Sequence, residues 1–272
     1  MSFSIASMPL WLSFLLVVVI PTTLSVCGAL LTRRAFGLDR LQINNEVAGF
    51  KFAVVGLIYA VLLGFAVIVM WEKFRDAEGA VDQEASDVVT IARLSEGLGP
   101  AAGAAVRQTL IIYAHDAVDD DWPAMARGQI SAQPSLALDN LYKAVLSDQP
   151  ATPHDTAVMT ELLTRLDSLT QARRTRLLLA TGSVPAVLWG VLFGGAFVTL
   201  AFTFFFGVRS VGSQIVMNIL LSTLIFMVLY VALEIDHPFS GPTSVGPEAL
   251  RAALGDHASG DAGSSPRTVT QY

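Results

Sequence analysis

The sequence predicts an all-α integral membrane protein with four transmembrane helices and a helical soluble domain between the second and third of them. Only 15% of its 272 residues are charged and 53% are hydrophobic, whereas soluble domains carry about 25% charged residues. Four stretches carry no charge: residues 1–32, 52–71, 177–208 and 210–233. Each can cross a hydrocarbon core about 30 Å thick, which requires roughly 20 apolar helical residues. Backbone groups in hydrocarbon must hydrogen-bond internally, and the short alternating segments of a barrel are absent, so we expect helices.

These stretches divide the chain into five segments. We expect the first two transmembrane helices within residues 1–71, and the third and fourth within 177–234. Residues 72–176 should form a helical domain that includes an extension of the second helix. A post-membrane motif follows in 235–254, and the tail over 255–272, rich in Gly, Ser, Asp and Ala, is expected to be disordered.

Proline predicts an irregularity at two places. Pro21 lies near the middle of the first span, where its missing N–H predicts a kink. Thr22, Thr23 and Ser25 are available to hydrogen-bond the freed carbonyls. In the helical domain, the run Asp119–Pro123 is expected to break a helix.

The second helix has a recognisable start and no obvious end at the membrane surface. Asn44 and Asn45 stand where an N-cap is wanted, and Glu46 follows near the positive end of the helix dipole. No proline interrupts the apolar period between Trp71 and Leu98, so we expect the helix to continue as an amphipathic stalk.

Small residues recur every four positions in two spans, a pattern that lets helix backbones approach closely. The second span carries Gly49 and Ala53, then Gly56, Ala60 and Gly64, and the third carries Gly182, Ala186, Gly190 and Gly194. Such a face packs helices within one chain, or between copies of the chain around a pore.

The net charge of −6 comes from the helical domain. Residues 72–176 contain 10 Lys and Arg and 16 Asp and Glu. An acidic domain argues against nucleic acid as a partner, because nucleic-acid binding requires a basic patch. Lys and Arg near the spans number 5 on one side of the membrane and 7 on the other, which favours both termini and the helical domain in the cytoplasm.

The sequence has no catalytic or metal-binding motif. It has no Gly-rich phosphate loop, no His-Glu-x-x-His and no Gly-x-Ser-x-Gly, so we expect neither an enzyme nor a cofactor. The four histidines are scattered and do not form a zinc site. Asp119–Asp121 lacks the alternating acids of a calcium loop, and we interpret it as a solvated helix end. No acid lies inside the spans, which argues against a proton-coupled transporter.

Two stretches resemble a known bacterial family. Asn44–Phe52, continuing to Trp71-Glu72, together with Trp122-Pro123, resembles the signature of bestrophin-like membrane proteins, a family of unknown function. Ile235–Gly241 resembles the same family. It also resembles the Asp-Pro-Phe-Gly segment after the last span of bestrophin anion channels, although a histidine and a serine interrupt it here. The acidic run that binds calcium in animal bestrophins is missing, so calcium gating is not implied.

The resemblance implies a homo-oligomeric channel, pentameric in bestrophins, in the bacterial inner membrane. In bestrophins the second helix lines the pore through a narrow apolar neck. The candidate lining residues are Phe50, Lys51, Val54, Leu57 and Val61, and the apolar ones suit a gate that closes by dewetting. Lys51 either extends to the membrane interface or attracts anions at the pore mouth.

The leading hypothesis is therefore a channel for chloride or other small anions. The alternative is a non-conducting membrane scaffold or sensor that relays changes through the stalk. Membrane lipid, further copies of the chain and small anions are the expected partners.

The motif Asp236-His237-Pro238-Phe239 is expected to hold the end of the fourth span against the helical domain. Pro238 would end the helix and Phe239 would be an apolar anchor. Asp236 would cap a neighbouring helix or pair with an arginine such as Arg173. The simpler interpretation is a helix stop alone.

Overall fold

The computed structural model describes residues 8–43, 45–182 and 184–262. Four of its helices are long and apolar enough to cross a membrane: Leu10–Phe36, Asn45–Ser95, Ala186–Phe204 and Val211–Ile235. No β-strand occurs among the described residues. The predicted all-α fold with four membrane helices is confirmed.

The helices are numbered here in chain order. They are α1 (Leu10–Phe36), α2 (Leu38–Gln42), α3 (Asn45–Ser95), α4 (Pro100–Asp116), α5 (Trp122–Met125), α6 (Gln133–Leu146), α7 (Pro153–Thr181), α8 (Ala186–Phe204), α9 (Val211–Ile235) and α10 (Glu248–Ala262).

The chain divides into two units. Met1–Phe74 and Ser183–Ser244 form the first, here called the membrane unit, and Arg75–Gly182 and Val245–Tyr272 form the second, here called the helical unit. Helix α3 contributes to both and runs unbroken through 51 residues, as its uninterrupted apolar period predicted.

The third membrane helix begins later than its charge-free stretch suggested. Helix α7 continues to Thr181, and α8 starts only at Ala186, after Gly182 and Pro185. Absence of charge therefore did not mark this boundary, because the last apolar residues of α7 join the charge-free run in the sequence.

Each of the two predicted irregularities is a short π-helix placed just before the proline. In α1 it covers Leu15–Val19, ahead of Pro21, and between α4 and α5 it covers Ala117–Asp121, ahead of Pro123. A π-helix bonds each N–H to a carbonyl five residues back. The wider turn relieves the clash between the proline ring and the carbonyl four residues before it, so the helix can continue past the proline. The predicted break at Asp119–Pro123 is therefore wrong.

The hydroxyls near Pro21 play a smaller part than expected. Thr23 Oγ1 donates to the Val19 carbonyl at 2.8 Å. The hydroxyl oxygens of Thr22 and Ser25 are buried and find no hydrogen-bond partner among the described residues.

One continuous hydrophobic core joins the helices of the membrane unit. Its buried members include Tyr59, Leu63, Ala66 and Met70 from α3, Leu192, Ala196 and Leu200 from α8, and Leu229, Ala232 and Leu233 from α9. Tyr59 also donates its hydroxyl to the Leu192 carbonyl at 3.2 Å, which satisfies the one polar group that this side chain brings into the core.

Close packing in this core depends on glycines other than those of the predicted stripes. A Cβ at Gly195 would lie 2.6 Å from the Tyr59 ring, and one at Gly28 would lie 2.7 Å from the Phe204 ring. At Gly190 and Gly194 there is no atom within 4 Å of such a Cβ. The stripe expected to pack the third span therefore faces outward within this chain.

In the helical unit, α4 packs against α6, and α7 lies against both α5 and α6. The core side chains include Val106 and Leu110 of α4, Leu138 and Leu141 of α6, and Leu162, Leu166 and Leu169 of α7. Helix α7 starts with a capping box in which the Asp155 N–H donates to Thr152 Oγ1 at 3.1 Å and the Thr152 N–H donates to Asp155 Oδ2 at 2.9 Å. The hydrogen bond from Thr152 lowers the pKa of Asp155.

Four buried charges lie at the centre of the helical unit. Arg176 donates to both carboxylate oxygens of Glu84, at 2.6 and 2.9 Å, and to Asp121 Oδ2 at 3.1 Å. Arg173 donates to the same Asp121 oxygen at 3.0 Å. These four residues, here called the ion cluster, contain two positive and two negative charges. Because removing one partner from a buried pair costs about 3–5 kcal/mol, the cluster holds α3, the second π-helix and α7 in a single register.

Two aromatic side chains enclose the ion cluster. The Tyr113 hydroxyl donates to Glu84 Oε1 at 2.6 Å, and the Arg176 guanidinium lies 4.4 Å from the centroid of the Trp122 ring. Burial and the charge of Glu84 raise the pKa of Tyr113 well above its usual value, so the hydroxyl stays protonated and remains a donor.

The acidic run before Trp122 is divided between solvent and core. Asp119 and Asp120 are exposed, as a solvated helix end predicts, but Asp121 is fully buried in the ion cluster. The sequence interpretation is therefore wrong for Asp121, because a buried arginine pair supplies the partners that burial of a carboxylate requires.

The C-terminal helix α10 includes residues 255–262, which we expected to be disordered. Leu250 and Ala253 are buried, and Trp122 Nε1 donates to the Val245 carbonyl at 3.1 Å just ahead of this helix. The alanines of the segment favour helix. The buried side chains and the Trp122 hydrogen bond fix the first turns of α10 in place. Residues 263–272 lie outside the described part of the chain.

We expect Arg176→Ala to lower the free energy of unfolding by about 3–5 kcal/mol, because it leaves Glu84 buried without its main partner. Arg174→Ala is the matched control, since Arg174 is exposed on the same helix. Thermal unfolding followed by circular dichroism in detergent measures the difference. Equal melting temperatures for the two variants would contradict a structural role for the ion cluster.

Candidate functional site

The membrane part of α3 has two opposite faces. Tyr59, Leu63, Ala66 and Met70 recur at helical spacing and are buried in the core of the membrane unit. The opposite face carries the predicted lining residues, which are all exposed: Phe50 at 74%, Val54 at 46%, Leu57 at 66% and Val61 at 51%. One helix thus presents an apolar stripe to the core and a second apolar stripe away from it.

The exposed stripe continues beyond the predicted residues. Phe65 and Ile68 follow Val61 at helical spacing and are 66% and 53% exposed. Lys51 and Glu46 are also exposed, near the start of the helix. The role of these residues as pore lining remains a prediction.

The start of α3 holds the loop between α8 and α9. Asn45 Nδ2 donates to the Gly207 carbonyl at 3.0 Å, and its Oδ1 accepts from the Gly207 N–H at 3.1 Å. Asn45 was expected to cap its own helix, but it is the first helical residue and its amide pairs with another segment. Asn44 lies outside the described residues.

Gly207 is required at this contact. A Cβ there would lie 2.7 Å from the backbone nitrogen of Gln42 at the end of α2. The loop therefore fits between α2 and α3 only because residue 207 has no side chain.

Arg33 also hydrogen-bonds to the segment between α8 and α9. The sequence alone did not indicate this contact. Arg33 Nη1 donates to the carbonyl of Val208 and, at 2.9 Å, to Gln214 Oε1, while its Nη2 donates to the Arg209 carbonyl at 3.1 Å. All of these acceptors are neutral, so the guanidinium charge is not balanced by them.

Asp236 is the centre of the post-membrane motif. It is fully buried and forms an ion pair with Lys73, whose Nζ lies 3.2 Å from Oδ1. The same carboxylate accepts from the Val184 N–H at 3.2 Å and from Trp189 Nε1 at 3.4 Å. One side chain thus joins the end of α9 to α3 and to the start of α8, all within the membrane unit.

The partner expected for Asp236 was wrong. Arg173 belongs to the ion cluster of the helical unit, where it pairs with Asp121. Lys73 takes its place because it lies just beyond the membrane part of α3, close in space to the end of α9. The expected capping role is partly present, since Asp236 accepts the Val184 N–H shortly before α8 begins.

The remainder of the motif is buried as well. Helix α9 ends at Ile235, ahead of Pro238, and Phe239 is only 4% exposed. His237 is 7% exposed, with Nδ1 3.7 Å from Asp236 Oδ2. Burial lowers the pKa of His237, with Asp236 opposing that shift and Lys73 adding to it. The segment is therefore a buried anchor in addition to a helix stop.

Glu234 is a buried acid that sequence reasoning placed at a helix end. It is 5% exposed, and its Oε1 accepts from Ser13 Oγ of α1 at 3.2 Å. Tyr230 lies in the same group, with its hydroxyl 3.3 Å from Ser13 Oγ. Ser13 and Glu234 are far apart in the chain, and no local pattern in the sequence indicates that they meet.

No metal centre is evident among the described residues, where no three His, Cys, Asp or Glu side chains cluster closely enough to hold an ion. The geometry is that of a membrane helix bundle with a buried post-membrane anchor and an exposed apolar helix face.

Comparison with known proteins identifies the family. The Bestrophin-like domain model matches residues 19–250, which is most of the chain. The protein therefore belongs to the Bestrophin-like family, as the motifs at the start of α3 and after α9 predicted.

Solved structures share the fold. A point variant of a bacterial bestrophin homolog from Klebsiella pneumoniae superposes with a TM-score of 0.70 and 14% identity over 90% of this chain and 98% of that chain. Another structure of a bestrophin homolog from the same organism gives a TM-score of 0.69 and 14% identity over 91% and 99%. At these identities the likeness concerns the fold. A comparison with curated protein sequences gives no match.

We expect Phe239→Ala to destabilise the protein by about 3 kcal/mol, because it removes a buried aromatic ring. Phe197→Ala is the control, since Phe197 is 70% exposed in the middle of α8. The measurement is the melting curve of each variant in detergent. An unchanged melting temperature for Phe239→Ala would show that the segment after α9 is a helix stop alone.

The lowered pKa of His237 predicts that stability falls as the medium is acidified. The unfolded chain gains a proton at this histidine near its ordinary pKa of about 6.5, whereas the folded chain does so only at lower pH. Its contribution is therefore complete above about pH 6.5 and is lost as the pH falls below that value. Between about pH 6.5 and pH 5.5, the melting temperature of His237→Gln should therefore decrease less than that of the wild type.

His154→Gln is the control for this pH profile, because His154 is exposed. It should leave the wild-type profile unchanged. A profile for His237→Gln that matches the wild type at every pH would remove the proposed link between this histidine and stability.

Proposed function

We propose that this protein is a homo-oligomeric channel for small anions such as chloride, with α3 lining the pore. The observation that carries the proposal is the exposed apolar stripe of α3, which runs from Phe50 through Val54, Leu57 and Val61. No other helix in the described part of the chain covers this stripe. Membership of the Bestrophin-like family and the shared fold support the same proposal.

A ring of copies explains both exposed features of α3. The small residues Gly56 and Gly64 lie beside the apolar stripe, and no heavy atom lies within 4 Å of a Cβ built at either of them. Small residues of this kind let a neighbouring helix approach closely. With a second copy packed on the small residues, the apolar stripe would face the axis of the ring and form a neck that closes by dewetting.

Charge near the start of α3 supports anions as the permeating species. Lys51 is exposed there, and the helix dipole adds positive potential at the same end. The exposed carboxylate of Glu46 opposes this effect. Selectivity for anions therefore depends on which of these two side chains lies closer to the pore axis.

We further propose that the protein resides in the bacterial inner membrane, with its termini and helical unit in the cytoplasm. The larger number of Lys and Arg residues flanking the spans on the side of the helical unit supports this orientation.

Chloride flux into liposomes containing the purified protein tests the channel, together with its oligomeric mass. We expect a ring that conducts. Val54→Thr and Val61→Thr add a hydroxyl to the neck with little change in shape and should raise the flux severalfold, because a wetted neck resists dewetting. Val216→Thr, on an exposed position of α9, is the matched control and should have no effect. Lys51→Glu should shift selectivity towards cations.

The other outcomes are equally decisive. A monomer that shows no chloride flux at any salt concentration or pH would contradict the channel proposal. An oligomer without flux would favour a scaffold or sensor, in which the continuous helix α3 relays changes. If the ring conducts but its flux is unchanged in Val54→Thr and Val61→Thr, the pore is lined by another helix.

A further inference from the structure

A cavity of about 560 Å³ lies in the membrane unit between the start of α3, the loop after α8 and the first half of α9. Its walls are mostly apolar, with Phe52 on one side, Phe206 at the loop, and Leu221 and Leu224 along α9. Small-molecule sites have this size and an apolar lining with a few fixed polar groups.

Two buried amides form the polar end of the cavity. Gln214 and Asn218 lie one turn apart on α9, both line the cavity, and they are only 3% and 5% exposed. Gln214 Nε2 and Asn218 Nδ2 are buried and find no hydrogen-bond partner among the described residues. Unpaired buried donors cost free energy, so this end of the cavity is suited to a ligand that supplies acceptors.

The contact with Arg33 settles which atoms of Gln214 are free. Arg33 Nη1 lies 2.9 Å from Gln214 Oε1, and a guanidinium only donates, so the amide oxygen must face it. The amide nitrogen then points elsewhere as a donor. No carboxylate forms an ion pair with Arg33 in the described part of the chain, which makes this end of the cavity favourable for an anion.

The outer wall is open to the side that would face lipid. Met217 and Leu224 are 60% and 63% exposed, and both line the cavity. A ligand can therefore enter from the bilayer without crossing water. Its apolar part would replace lipid contacts with contacts to α3 and α9.

We propose that this cavity binds a free fatty acid, with the acyl chain against the apolar walls and the carboxylate accepting N–H bonds from Gln214 and Asn218. A single-chain amphiphile with an acceptor-only head satisfies both amides and the nearby positive charge. The occupant would touch Gly49 and Phe52 of α3.

Photolabelling of the full-length protein in detergent with a diazirine-bearing palmitate tests the site. We expect saturable labelling that maps by mass spectrometry to α9 and the loop at Phe206, and that unlabelled palmitate displaces. Asn218→Leu should weaken binding about tenfold, since a hydrogen bond to a charged group is lost. Thr199→Val is the matched control, because its buried hydroxyl also lacks a partner but does not line the cavity.

Gly49→Leu tests the cavity by filling it. A Cβ at Gly49 would lie 3.9 Å from the Phe206 ring, an ordinary van der Waals distance, and leucine favours helix over glycine. The variant should fold with an unchanged melting temperature and lose the labelling. Because the readout is binding, the result does not depend on whether the protein conducts ions.

Three results would overturn the proposal. Labelling that persists in both Gly49→Leu and Asn218→Leu places the fatty acid elsewhere. Displacement by dioleoyl phospholipid but not by palmitate assigns the cavity to membrane phospholipid. Crosslinks from Met217→Cys to α9 or α3 of a second copy, with no labelling, show that another chain fills it.

Discussion

Four charges that cannot be left unpaired organise the helical unit. Glu84 comes from α3, Asp121 from a π-helix, and Arg173 and Arg176 from α7. A slide of α7 by one turn would separate Arg176 from Glu84 and expose each charge to an apolar core. The Trp122-Pro123 signature follows Asp121 directly, so the aromatic ring that covers Arg176 is positioned by the same π-helix. In this unit, electrostatic pairing fixes the register of α7 against α3 and the π-helix, which apolar packing alone would not determine.

The architecture could be predicted from local signals in the sequence, whereas the pairing of residues far apart in the chain could not. The four membrane helices and the unbroken α3 follow from composition and a 3.6-residue period, which are properties of neighbouring residues. The partner of Asp236 could not be found in this way. Both Lys73 and Arg173 lie near membrane boundaries in the sequence, and only the fold determines that Lys73 meets Asp236. Asp119 and Asp121 look alike in the sequence, yet one is solvated and the other fully buried.

Glycine illustrates the same limit at the level of packing. A stripe with four-residue spacing indicates a face suited to close approach, but it does not say what approaches. Among the described glycines of the four membrane helices, the approaches below 3 Å fall on Gly28 and Gly195, each against a single aromatic ring. The stripe on α3 stays open beside its exposed apolar face, and it is this unpartnered surface, more than any motif, that links the structure of one chain to the channel proposal.

The π-helix at Leu15–Val19 gives this chain room to change in length during evolution. Each residue added to or removed from an α-helix rotates the preceding segment by about 100°. A π-helix bonds five residues back and so holds about one residue more per turn than an α-helix. Loss of one residue within this stretch can therefore convert it to α-helix and leave Ser13 facing Glu234. A second loss would turn Ser13 away and deprive the buried Glu234 carboxylate of that hydrogen bond. Among relatives, α1 should therefore be able to shorten by one residue ahead of Pro21 without a change at position 234.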